Sequence, residues 1–534
     1  MSIRVFHGVC VGFLLVVTSV AQTANEIGTL PNGGAAVAGH GASVAIDGDT
    51  AVVGAPFENG GVVRAYVRSS PGWSQQAALS IAGTVSFGSS VDVDIDTLVV
   101  GEPFFNSSSG RVHVFTRSAG NWTLQATLQA PAPTAGDAFG VAVSVRGDVI
   151  AVGASGRDMG ALLDTGAVLL FVRTGTAWSF TAEAHGWGVD QANHGAALDL
   201  HDGRLLVGSP REYSNTGAFY DYRLSGGSIV TMARWAGTPG SRLGTAVALD
   251  GQNAVVSALT DAGGLGRVYL FAVEQNSLGL FGSFDGAQPN SDFGASVAVS
   301  SGKVLVGAPN AGSGGPGFVR EFVCSNLPQG PWFEAFDLAP SGNQAGAEFG
   351  TVALDDDTAI IGAPFWLSPG PSEGAAFAFG LAGKPFGFCA SGSPCANDYA
   401  TGGCAYSTTT GLGGRLLGWG SSSVASDDLR LVGYQLNANT SGILVLSATG
   451  QAPFVSGNGL SVLCSPSHRF ALTPATNGVI DYGPGLVALT FQRFGIAITP
   501  GQTWHYQMWF RNPAGPCTGE VHNWTNGYAV TYSN

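Results

Sequence analysis

Three histidines, His185, His194 and His201, lie within 17 residues, enough imidazole nitrogen for a zinc ion. His194, however, stands at a recurring position that holds His40 once and Phe or Leu otherwise. Packing and one hydrogen bond are its expected tasks. Cys389, Cys395 and Cys404 have zinc-ligand chemistry too, and disulfides are what an exported chain would make of them. Asp92, Asp94 and Asp96, and Asp355 to Asp357, gather carboxylates of the kind that hold calcium or work as acid–base pairs. They are expected to be solvated strand and turn residues. No G-x-S-x-G elbow, H-E-x-x-H motif or Walker loop is present. No catalytic residue, metal site or cofactor is therefore assigned.

The elements that must position such groups follow from composition. The 534 residues include 81 Gly, and only 11% are charged. Average chains carry about 25% charged residues and about 7% Gly. Such a chain suits short strands and tight turns, and excludes a coiled coil or charge-driven disorder. A net charge of −14 opposes a nucleic-acid partner, since phosphate binding needs clustered Lys and Arg. Arg4, the apolar run Val9 to Val17, and Ser19-Val20-Ala21 form a signal peptide, residues 1–21. The run is too short to span a bilayer, and no later segment is long and apolar enough to do so. The chain is expected to be secreted or held at the cell surface, and monomeric.

Residues 22–383 repeat. A first anchor reads His40-Gly41, Phe87-Gly88, Phe139-Gly140, His194-Gly195, Leu243-Gly244, Phe293-Gly294 and Phe349-Gly350. A second falls 13 residues later in six copies and 12 in the seventh, at Gly54, Gly101, Gly153, Gly208, Ser257, Gly307 and Gly362. A third is a Gly followed five residues on by an aromatic, from Gly61 and Tyr66 to Gly374 and Phe379. Between the first two anchors, alternating apolar residues flank turns such as Asp47-Gly48 and Asp202-Gly203, which mark tight hairpins. Four antiparallel strands about every 50 residues, seven times, predict an all-β, seven-bladed β-propeller. The seventh copy lacks its fourth strand. Residues 23–30 precede the first anchor and are expected to supply it, so that no sheet edge is left open.

The Phe-Gly and Gly-Ala-Pro signatures resemble the FG-GAP repeats of the integrin α-chain propeller over about residues 23–380, in a short-hairpin bacterial form. Calcium-binding members of that family carry an Asp-rich loop between the two signatures. The spacing of 12 or 13 here leaves no room for it, so the resemblance implies no metal.

Residues 386–534 follow a different pattern. Short alternating strands such as LRLVGYQL and YAVTY predict a smaller β-sandwich. Its segments are similar to an exported C-terminal module found in planctomycetes, and that resemblance implies an accessory domain without activity. Of the six cysteines outside the signal peptide, five lie here. Cys464 with Cys517, and one bridge within Cys389, Cys395 and Cys404, are the expected disulfides, while Cys324 is expected to be a buried free thiol.

A ligand would sit where the blades differ. The loops between second and third strands run from four to ten residues and carry Phe57, Phe104, Phe105, Tyr213, Phe365 and Trp366, and Trp187 lies between blades. Aromatics on one face of a rigid ring suit sugar rings or protein. Several of them tucking back onto their own blades is the plainer alternative. The expected role is non-catalytic binding or adhesion to an extracellular polysaccharide or surface protein. The rivals are an enzyme of extracellular polysaccharide, with carboxylates converging in the channel, and a structural envelope component.

Overall fold

The computed structural model describes residues 26–32, 39–69, 72–275, 277–311, 315–324, 332–340, 342, 344–356, 358–367, 373–381, 384–386, 415–419, 422, 424, 425, 427, 429–434, 436, 440–456, 459–463, 467–475, 479–511 and 522–532. The signal peptide, Cys389, Cys395, Cys404, Cys464 and Cys517 lie outside these residues. Cys324 ends a described strand, but its thiol lies outside the description as well.

Seven four-stranded antiparallel sheets fill residues 26–380. The innermost strands are Ser43–Asp47, Ser90–Asp94, Phe139–Arg146, Ala197–His201, Leu243–Leu249, Ser296–Ser300 and Thr351–Asp355. Each touches the next, and the last touches the first, so the sheets close into a ring of seven blades. The expected closure is present. Glu26–Leu30 pairs antiparallel with Ala375–Gly380 as the outer strand of the seventh blade. Leu30 is buried against Ile46, Tyr66 and Ile360.

The anchors are the joints of this ring. A Cβ added to Gly54, Gly101, Gly153, Gly208, Gly307 or Gly362 would lie 1.9–2.2 Å from the carbonyl oxygen of the next blade's first-anchor glycine. No side chain fits there. Blade five carries Ser257 instead, and there a Cβ on Gly294 would meet the Ser257 Cβ at 2.9 Å. The third-anchor glycines have φ between 74° and 118°, and a Cβ on any of them would lie 2.0–2.4 Å from the next blade's first-anchor backbone. Gly374 meets His40 by the same rule, joining blade seven to blade one. The second strands, such as Thr50–Ala55 and Lys303–Ala308, are buried along their whole length, since neighbouring blades cover both faces.

After the ring, Lys384–Phe386 joins a sheet with His522–Thr531, Thr503–Arg511, Ser441–Ser447 and His468–Arg469, to which Thr473–Pro474 adds a short pairing. A three-stranded sheet of Arg415–Trp419, Arg430–Tyr434 and Ile480–Tyr482 shares one core with it, where Leu416, Leu431 and Ile480 pack with Leu444, Tyr506, Met508 and Phe510. The sequence reading of strands alone needs one correction. Leu486–Phe494 is a helix, and Asp427 caps it by accepting the Val487 and Ala488 N–H groups at 2.7 and 2.8 Å.

Candidate functional site

Three regions of the ring concentrate polar or aromatic groups: the central channel, the hairpin face and the opposite loop face. Of the aspartates singled out by sequence, Asp92, Asp94 and Asp355 lie in the channel and are not simply solvated, while Asp357 lies outside the described residues. Asp47 accepts the Ile95 N–H of the next blade, Asp94 that of Gly147, and Asp355 that of Gly48, each at 2.7 Å. Asp92 accepts Val145 N–H at 2.7 Å and Val93 N–H at 2.9 Å, and Asp199 accepts Leu249 and Leu200 N–H groups. Ser144 and Ser296 accept inner-strand N–H groups of their following blades in the same way, and Ser300 accepts that of Asp356 in the turn after the next inner strand. These side chains stitch the inner strands of blades one, two, three, four, six and seven to the blades that follow them. Arg146 lies 3.9 Å from Asp92 and 4.0 Å from Asp94. Burial pushes Asp92 up to about 6, with Arg146 pulling the other way, and burial also raises Asp199.

The hairpin face is stapled too. Arg68, Arg117 and Arg173 each pair with a turn aspartate, Asp49, Asp96 or Asp148, at 2.6–2.8 Å. Each also donates to a threonine of the preceding blade, Thr358, Thr50 or Thr97, and lies over a tryptophan, Trp73, Trp122 or Trp178. Asp96, read as a solvated turn residue, is thus paired, and Asp356 accepts the Ser301 hydroxyl. A cavity of ≈ 270 Å³ between blades four and five includes Arg204 and Arg223. Arg204 is already held by Asp221 and by the Glu274 and Ser277 carbonyls, and Arg223 donates to the Gln275 carbonyl. That cleft is a blade seam.

The loop face differs. Its ion pairs are sunk beneath it: Glu58 with Arg64 at 2.8 Å, Glu102 with Arg111 and His113, Arg157 with Asp137 and Glu183, and Glu212 with Arg234. Aromatics stand above them. Trp187 is 64% exposed, Phe57 and Phe104 57%, Tyr213 52% and Phe365 40%. The other two candidates do tuck back. Phe105 is half-buried with its ring 3.7 Å from the Arg111 guanidinium, and Trp366 packs 5.0 Å from Phe377. Trp187 and Tyr213 flank Arg234, at 4.2 and 5.7 Å from its guanidinium.

The histidines do not converge on a metal site. His194 is buried, with Ser209 at 2.7 Å on one ring nitrogen and Tyr222 at 3.1 Å on the other, one bond more than expected. His185 pairs with Glu183, which raises its pKa, and His201 lies beside Asp202 on the hairpin face. Among the described residues no group of three or more His, Cys, Asp or Glu is arranged to hold a metal ion. Sequence reasoning missed the arginine staples and the Glu212–Arg234 pair. An Arg two residues after the third-anchor aromatic in blades one to three was a usable signal for the staples. Glu212 stands four residues after the second anchor, as Glu58 and Asp261 do, which was a usable signal for it, but nothing periodic marks Arg234, which only the fold brings to it.

The FG-GAP repeat family model matches residues 29–67 and 122–171. No curated protein matches the chain. Among solved structures, a 6-phosphogluconolactonase-like protein of Bacteroides fragilis NCTC 9343 is similar at 13% identity and a TM-score of 0.40, covering 57% of this chain and 85% of that one. Another from Bacteroides uniformis ATCC 8492 gives 12% identity and a TM-score of 0.42, covering 57% and 86%. At these values the likeness carries no inference about ligand or activity.

Proposed function

We propose that this chain, an FG-GAP repeat protein, is an exported binding protein. Its loop face holds an extracellular polymer or surface protein without modifying it, and the C-terminal domain is an accessory module of the planctomycete type. The observation that carries this reading is the set of five exposed aromatics on one face, those of blades one, two and four above buried ion pairs. Binding through such a face needs a rigid frame and no reactive group. The anchors supply the frame, because each blade interlocks backbone to backbone with the next. Secretion rests on residues 1–21. Among the described residues no helix is long and apolar enough to cross a membrane.

A second reading, hydrolysis in the channel, has one observation in its favour. Asp92, Asp94 and Asp199 gather near Arg146, and Asp92 is raised towards neutrality. Against it, both oxygens of Asp92 and both of Asp199 already accept backbone N–H groups. A general acid or base needs an oxygen free to reach substrate. Screening the protein against arrays of glycans and secreted proteins tests the proposal. Replacing Phe57, Phe104, Tyr213, Trp187 and Phe365 by Ser should abolish any captured signal while the fold persists. Capture that survives all five changes would contradict it.

A further inference from the structure

On that reading of the loop face, we infer that the polymer is a neutral polysaccharide, gripped by an aromatic clamp at blade four made of Trp187 and Tyr213.

The clamp is built from below. Glu212 is fully buried and receives three donations: Arg234 from its Nε at 2.9 Å and from a terminal nitrogen, and the Tyr220 hydroxyl at 2.8 Å. The Tyr220 hydroxyl in turn accepts the Trp187 backbone N–H at 2.8 Å. Tyr220 itself packs on the buried His194 ring, 4.8 Å between centroids. One buried carboxylate therefore fixes both the Trp187 loop and the guanidinium on which the Trp187 and Tyr213 rings lie. A tryptophan 64% exposed and a tyrosine 52% exposed are held in place by a buried polar network. Binding sites pre-organised through a supporting layer have this construction.

The chemistry of the clamp selects the class of ligand. Arg234 and Glu212 neutralise each other, so the site has no net charge to attract a polyanion, and the chain as a whole carries −14. A cationic ligand is disfavoured as well, because a guanidinium already occupies one face of each ring and Glu212 has no exposed oxygen. The neighbouring exposed side chains Ser214, Asn215 and Gln191 are neutral hydrogen-bonding groups, and the two charged ones, Arg211 and Asp190, are of opposite sign. Stacking surfaces beside neutral donors and acceptors match uncharged pyranose rings, which offer an apolar C–H face and a rim of hydroxyls.

Affinity electrophoresis of the full secreted chain in gels containing laminarin, xylan or galactomannan tests this, with alginate and gelatin as the acidic and protein probes. At least one neutral polymer should retard the protein. Trp187→Ala and Tyr213→Ala should each weaken that retardation about tenfold with an unchanged melting temperature. Trp187→Phe, which keeps a stacking ring, should weaken it less than Trp187→Ala. Retardation by alginate or gelatin alone would overturn the neutral-polysaccharide inference and leave the binding reading standing. The same holds for retardation by a neutral polymer that ignores both alanine variants. No retardation by any of the five probes overturns the inference, and if the arrays also capture nothing, the binding reading falls with it.

Discussion

The first-anchor position shows what a single side chain does at a blade joint. Four blades use Phe there, and blades one and four use His40 and His194. Burial pushes both histidines down to about 3, with Arg64 adding to the effect at His40 and His185 at His194. Above pH 6.5 both are neutral whether folded or unfolded. Below it the unfolded chain takes up protons that the folded ring refuses, so stability falls as pH drops towards 3. The loss is about 1.4 kcal/mol per pH unit for each histidine. Asp92 and Glu321, pushed up to about 6 and 7 by burial, act in the opposite direction, and do so with or without the two histidines. Replacing His40 and His194 with Phe should therefore flatten the fall in denaturant stability between pH 6.5 and 4.5. An identical slope in the double variant would mean that these rings are not buried as described. The outer rim offers another single-residue test. Trp122 and Trp178 donate to Gln76 and Gln125 of the preceding blade at 2.8 Å, while the buried Trp73 indole N–H has no partner. Gln76→Leu should leave the buried Trp122 indole N–H without its acceptor and lower stability by about 1 kcal/mol. An unchanged melting temperature would mean that this bond between blades contributes nothing.

At the scale of the element, the closing strand carries the clearest consequence. Glu26–Leu30 covers the outer edge of Ala375–Gly380, and its Leu30 fills a pocket between blades one and seven. Deleting residues 26–30 should lower stability by several kcal/mol, since an edge is opened and apolar surface uncovered. An unchanged melting temperature would refute the closure. This strand was legible in the sequence because its absence from the seventh copy left a countable gap. The blades were legible because glycine is obligatory wherever backbones touch, as at Gly54 and Gly61. Other elements were not legible, for physical reasons. Residues 105–108, 212–215 and 261–264 form left-handed turns, with φ and ψ near 47° and 67° at Asn106 and 49° and 61° at Tyr213. Outside glycine such backbone costs about 1–2 kcal/mol per residue. The turns are held by the following blade, whose Ala138 and Arg242 N–H groups bond to the Ser108 and Asn215 carbonyls at 2.7 and 2.9 Å. Nothing in the local sequence announces a partner so far along the chain. The helix Leu486–Phe494 was hidden likewise, because its cap, Asp427, stands some 60 residues earlier.

For the whole molecule, the same ring solves two problems at once. Carboxylates, serines and arginines that resemble reactive groups in the sequence are spent on joining blades in the channel and on the hairpin face. That leaves the loop face free to vary, and there the exposed aromatics collect. Of the candidate residues, Phe57, Phe104, Trp187, Tyr213 and Phe365 stand out from the face, and Phe105 and Trp366 support it. Sequence could place all seven on one face but could not separate these two groups, because exposure depends on how far each ring sinks onto its own blade, as Trp366 does against Phe377. The central claim is that this face binds a polymer and leaves it intact. The most direct measurement is to incubate the purified chain with a polymer it retains, and to follow binding by calorimetry and polymer length by size-exclusion chromatography in the same sample. The account predicts saturable binding, lost in the five-residue aromatic variant, with polymer length unchanged over many hours. Shortening of the polymer that disappears in Asp92→Asn would contradict it and assign the chemistry to the channel.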